Sequence, residues 1–276
     1  MAKITASQVN ELRKLTGAGM MDCKKALVEA DGDKEKAVEI LRKHGQKVAA
    51  KRADRDAAEG VILAKVSDDK TFAAVLRVSS ETDFVAKNQD FINFVDTIIT
   101  KAVNDKISDM DTLKNVEIDG KKVADIVLEQ LAKIGEKIEL VDYQVISAPI
   151  VFAYVHPGNR LATIMGMNLT DVDGIDTIGK EVNMQIAAMA PVALDKDGVD
   201  AATIKQEIEI GKEQAREAGK PEAMLEKIAM GKLNKFYKEN TLLNQAFVRN
   251  NKQTITQYLQ EANKDLTVTG FFRLAL

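Results

Sequence analysis

The 276-residue sequence is short of the side chains that most covalent chemistry needs. It holds one cysteine, Cys23, which excludes an internal disulfide framework and any thiol-rich zinc site. Two histidines, His44 and His156, leave little from which to build a histidine-based metal site or proton relay. There is no tryptophan and aromatics make up 5%, a poor endowment for stacking nucleic-acid bases. No apolar run approaches the roughly 18 residues of a membrane-spanning helix. The first residues, Met1 to Thr5, lack the apolar stretch of a secretory signal, so a cytoplasmic location is the default expectation.

What remains is ordinary globular material. Hydrophobic residues are 45% and charged residues 29% of the chain. The length suits about two domains at roughly 100–200 residues each. Net charge is −3, but it is unevenly placed. Residues 1–55 hold thirteen Lys and Arg against eight Asp and Glu, a net of +5, which leaves −8 for the rest. A basic head on an acidic body steers toward an acidic partner, protein or RNA; a solvated helical face is the plainer explanation.

Residues 1–55 read as three short helices. Ser7 is placed to cap the first, whose apolar positions Val9, Leu12 and Leu15 share a face before Gly17 and Gly19 break it. Asp22 begins a second helix carrying Ala26, Leu27 and Ala30. Asp31-Gly32-Asp33 turns into a third with Ala37, Val38, Ile40 and Leu41. Residues 46–59 are rich in Ala, Lys, Arg and Asp and read as an exposed connecting helix.

From Gly60 the periodicity changes. Residues 61–66 and 72–78 are β-rich apolar runs joined by Ser67-Asp68-Asp69-Lys70, a hairpin. Helices are expected over 90–104 and 123–133, then a strand over 137–147. The order repeats: strands at 151–156 and 161–169 flank Pro157-Gly158-Asn159, a helix covers 174–190, and far downstream come a helix at 254–263 and a strand at 267–274. Two related α+β subdomains follow, each a hairpin–helix–helix–strand unit with a three-stranded sheet. The second is interrupted by two charged helices, 200–218 and 222–239, expected to form an antiparallel coiled-coil hairpin that projects as an arm. The expected units are a helical bundle and linker at 1–55, a core subdomain at 56–148, a second at 149–191 with 240–276, and the arm at 192–239.

Most candidate sites are weak. Residues 174–181 come close to a phosphate-binding loop, but Glu181 stands where Ser or Thr should meet magnesium, and Asp173 and Asp176 add negative charge. Cys23 sits beside Lys24 and Lys25 without a nearby histidine, and reads as a small buried thiol. His44 falls near a helix C-terminus and His156 at a hairpin turn, neither beside a nucleophile. An enzyme is not expected, and neither is a cofactor or metal.

One segment stands apart: Ser80-Glu81-Thr82-Asp83-Phe84-Val85-Ala86-Lys87-Asn88, between a strand and a helix. Phe84 and Val85 there are apolar side chains on a connecting segment, which suits a wedge into a partner; packing of Phe84 on its own sheet is the alternative. Met20 and Met21 suit either an adaptable contact or the bundle core.

The run from Leu12 to Leu27, LRKLTGAGMMDCKKAL, and Thr82-Asp83-Phe84-Val85-Ala86-Lys87-Asn88 resemble the two signatures of the elongation factor Ts family. The order of elements matches as well, over nearly the whole chain. Bacterial members often continue into a C-terminal helical module, and no counterpart follows the last strand of this sequence. The resemblance implies a UBA-like N-terminal bundle and a guanine nucleotide exchange factor for elongation factor Tu, with no covalent chemistry. It implies that Asp83 and Phe84, flanked by Thr82 and Val85, intrude between helices of the partner's G domain and disturb its magnesium site. Arg13, Met20 and Met21 would touch the same domain, His156 would lie near another partner domain, and the arm at 192–239 would mediate a homodimer or lie near the partner. Direct nucleic-acid binding and membrane association are not implied. The competing function is an RNA- or ribosome-associated binding module using the basic head, which predicts steeply salt-dependent RNA affinity.

Overall fold

The computed structural model describes residues 4–276. The chain opens with α1 (Ala6–Thr16), α2 (Met20–Glu29) and α3 (Lys34–Arg52). Thr5, rather than Ser7, caps α1: its hydroxyl accepts from the Gln8 amide while the Gln8 side chain accepts from the Thr5 amide. Val9, Leu12, Cys23, Ala26, Leu27 and Ala37 form the small bundle core. Leu15 is exposed instead of sharing that face. The separate connecting helix expected over 46–59 is also corrected. Residues up to Arg52 belong to α3, whose Val48 and Ala49 pack onto the first sheet's core, and Glu59 already starts a strand.

Next come β1 (Glu59–Val66), β2 (Phe72–Ser80), a single turn α4 (Asp83–Ala86), α5 (Gln89–Asn104), α6 (Met110–Asn115), the two-residue strands β3 (Glu117–Ile118) and β4 (Lys121–Lys122), α7 (Val123–Ile134) and β5 (Glu139–Ser147). The second unit contains β6 (Ile150–Val155), β7 (Leu161–Met167), α8 (Ile175–Met189), α9 (Ala201–Glu217), α10 (Glu222–Asn240), β8 (Ala246–Phe247), β9 (Asn250–Thr254), α11 (Ile255–Ala262) and β10 (Val268–Ala275). The small elements α6, β3, β4, β8 and β9 have no counterpart in the sequence reading.

Two antiparallel three-stranded sheets result, ordered β1-β2-β5 and β6-β7-β10. The matching order supports the repeated hairpin–helix–helix–strand unit. The sheets lie against each other, with Ile62, Ala73, Val75, Val151, Ala162 and Ile164 between them. Alternate residues of β2, Ala74, Leu76 and Val78, face the helices on the other side, where α5 adds Phe91, Phe94, Val95, Ile98 and Ile99. A strand covered on both faces has no solvent side to mark with polar residues, which is why β2 reads as one apolar run. Met165 and Met167 of β7 likewise meet Ile178, Val182 and Ile186 of α8 and Leu259 of α11.

The inserted helices pair as expected. Gly211 and Ala215 of α9 and Leu225, Ala229 and Leu233 of α10 are buried at their seam, while Ala218 is exposed beyond it. Lys212–Glu226 (2.8 Å) and Arg216–Glu222 (3.0 Å) bridge the pair outside the seam.

Candidate functional site

The Ser80–Asn88 segment contains α4, a short helix half-buried except at Phe84. Thr82 is its N-cap, the hydroxyl accepting from the Val85 amide at 3.5 Å. The helical turn sends the two adjacent apolar side chains in different directions. Val85 packs against the first core, whereas Phe84 is 84% exposed. Exposed scattered apolar residues are normal, and aromatic rings are enriched at protein interfaces relative to the rest of the surface. Asp83 forms an ion pair with Lys87 at 2.6 Å, one helical turn on. That hydrogen bond to Lys87, and its charge, hold the Asp83 carboxyl below the usual carboxylate range, so it is ionised at neutral pH.

The segment is anchored by two carboxylates that each reach the other's neighbour. Glu136 accepts from the Thr82 amide (3.0 Å) and hydroxyl (2.7 Å). Glu81 accepts from the Lys137 amide (2.6 Å) and from one nitrogen of Arg52 through both oxygens (2.7 and 2.8 Å). Partial burial raises the Glu81 carboxyl, but the Lys137 amide and the Arg52 guanidinium outweigh it and the net direction is down. Arg52 is the last residue of α3, so this clasp also ties the N-terminal bundle to the root of α4. Lys137 reinforces it by donating through Nζ to the carbonyls of Ala53 (2.8 Å) and Arg55 (3.2 Å). Sequence reading missed Glu136 and Arg52, because partners 54 and 29 residues away leave no local pattern.

Met20 and Met21 begin α2 and are 54% and 62% exposed, which decides between contact and core in favour of exposure. Arg13 is exposed in the last turn of α1. The bundle carrying these three docks on α7, where Arg42 meets Asp125 at 2.9 Å. His156 follows β6 on the second sheet, exposed, with Nδ1 2.8 Å from the Tyr154 hydroxyl. The turn beyond it reaches the first sheet, the Ile62 amide donating to the Asn159 carbonyl at 2.8 Å. The candidate residues thus fall into three places: Thr82 to Val85 at the start of α4, the Arg13 and methionine face on the bundle, and His156 on the second sheet.

The phosphate-loop resemblance dissolves. Gly174 is the cap of α8, and residues 175–181 are helix, not a loop. Gly179 is buried against the Phe152 ring, where a Cβ would stand 2.5 Å from it, and Asp176 pairs with Lys70 at 2.6 Å. Cys23 is buried, which pushes its thiol up, away from the thiolate a nucleophile needs. Among the described residues, no group of three or more His, Cys, Asp or Glu is placed to hold a metal ion, and no helix is long and apolar enough to cross a membrane.

Residues 81–276, starting at the clasp itself, match the family model for elongation factor TS. The chain belongs to the elongation factor Ts family. It is 51% identical to Elongation factor Ts of Christiangramia forsetii over the full length of both chains. It is 49% identical to that of Amoebophilus asiaticus over 98% of each, and 47% identical to that of Porphyromonas gingivalis over 99% of this chain and 98% of the relative. Membership in the elongation factor Ts family makes it a translation elongation factor, in a family whose role is nucleotide exchange on elongation factor Tu rather than covalent catalysis.

Proposed function

We propose that the chain, acting in the cytoplasm, speeds GDP release from elongation factor Tu by prying. Phe84, with Asp83 beside it, enters between helices of the partner's GTP-binding domain and disturbs the magnesium and phosphate contacts that hold GDP, after which GTP rebinds. The observation that carries this reading is the exposed phenyl ring on a turn fastened to the core. GDP in such a site is held by phosphate contacts and bridging magnesium, so a small displacement of either is costly to the nucleotide.

The thermodynamics requires no reactive group. A protein that binds the nucleotide-free partner more tightly than the loaded one weakens nucleotide binding by the same factor. Burying a ring such as Phe84 contributes about 1.5–3 kcal/mol, roughly 10- to 150-fold in affinity, and further contacts supply the rest. Arg13, Met20 and Met21 are suited to a second contact on the same domain, and His156 to a contact with another domain of the partner. The arm at 192–239 is suited to a homodimer contact.

The test is direct. Adding the chain to elongation factor Tu loaded with fluorescent GDP should accelerate loss of the label in excess unlabelled nucleotide. An unchanged release rate contradicts the proposal.

A further inference from the structure

Phe84 can wedge only if its turn is held in place, and the structure shows what holds it. Gly135 ends α7 in the left-handed region, at φ 78°, its amide bonded to the Leu131 carbonyl. That reversal delivers Glu136 beside the residue that caps α4. One Glu136 oxygen takes the Thr82 amide at 3.0 Å and the other takes the Thr82 hydroxyl proton at 2.7 Å. A hydroxyl whose proton is committed to Glu136 turns its lone pairs toward the Val85 amide, the bond that caps the turn. Glu136 therefore sets both the backbone position and the hydroxyl rotor at the root of the helix carrying Phe84.

We propose that Glu136 is a positioning residue for nucleotide exchange, acting through Thr82 on the orientation of Phe84; this rests on the wedge reading above. Asp83 and Phe84 would meet the partner, while Glu136 keeps their helix in the single orientation that inserts. Four residues of helix have no internal means of doing so, since one turn is below the length at which a helix is stable alone.

The experiment compares Glu136→Ala, Glu136→Gln and Thr82→Val in the full chain, measuring fluorescent GDP release from elongation factor Tu across a range of factor concentrations. Losing a cap shifts a local equilibrium by about five-fold, so Glu136→Ala should lower the maximal release rate by about that factor. The half-saturating concentration should move less than about two-fold, because the lost interaction orders the wedge rather than adding contact area. Glu136→Gln keeps an oxygen for the Thr82 amide but loses the acceptor of the hydroxyl proton, so its rate should fall between those of the parent and Glu136→Ala. Thr82→Val, which keeps the amide and loses the hydroxyl, should be slow like Glu136→Ala and serves if that variant does not fold. In a Phe84→Ala background the Glu136→Ala change should cost clearly less, because only Asp83 is left to be oriented. Full rate in Glu136→Ala or Thr82→Val, or an equal slowing with and without Phe84, overturns the positioning role alone. Full rate in Phe84→Ala overturns the wedge and this proposal together.

Discussion

Phe84 and Val85 are neighbours with opposite fates: the ring of Phe84 stands in solvent, and the side chain of Val85 packs into the core under the first sheet. Successive residues of a helical turn point about 100° apart, so one turn anchors and presents at once. The two truncations should separate accordingly. Val85→Ala should cost about 1 kcal/mol of stability as a partly buried large-to-small change. Phe84→Ala should stay within about 0.5 kcal/mol, as surface changes do. Urea unfolding of both variants checks this, and an equal loss in the two would place the ring against the core.

Gly179→Ala should destabilise the second sheet's core by about 1–3 kcal/mol, because its methyl must displace the Phe152 ring. Thermal unfolding measures the loss. Calorimetry of the unaltered chain with ATP or GTP should register no heat of binding, since the glycine serves packing.

Glu81→Gln should lower stability at neutral pH, with a clear sign in its pH dependence. The Glu81 carboxyl is held below its unfolded value of about 4.3, so its contribution is fully present above that pH. It fades as pH falls through the lower folded value. Denaturation from pH 7 to pH 3 should show the gap between parent and variant narrowing on the acid side; a constant gap would remove the charge from the account.

Gly211 lies so close to Ala229 that a Cβ would stand 3.0 Å from its Cα. Gly211→Leu should pry the arm helices apart while leaving both sheets folded. If the arm carries a homodimer contact, sedimentation should show dissociation to monomers with GDP-release activity retained; an unchanged sedimentation coefficient at the same concentration contradicts the arm's dimer role.

Much of the architecture could be read in the residues. Apolar runs bounded by Asp69-Lys70 and Gly158-Asn159 marked the hairpins, and the small-residue seam of 204–233 marked the paired helices. The segment from Thr82 to Val85 could be singled out because an aromatic on a polar connection is unusual. Its presentation could not, because Phe84 and Val85 are equally apolar and only the helical turn assigns one to solvent. The clasp was invisible for another reason: Glu81, Glu136 and Arg52 are ordinary charged residues whose meaning lies in long-range pairing. The stretch 174–181 came close to a phosphate-loop pattern because a glycine before a helix and a glycine against a ring look alike in sequence.

The central claim is that a displayed ring opens the partner's nucleotide site. Stopped-flow release of fluorescent GDP from elongation factor Tu, at saturating concentrations of the parent chain and of Phe84→Ala, tests it most directly. The account predicts that the substitution lowers the maximal release rate by roughly 10-fold or more, the share a buried ring supplies, with folding unchanged. A Phe84→Ala chain that releases GDP as fast as its parent would contradict it.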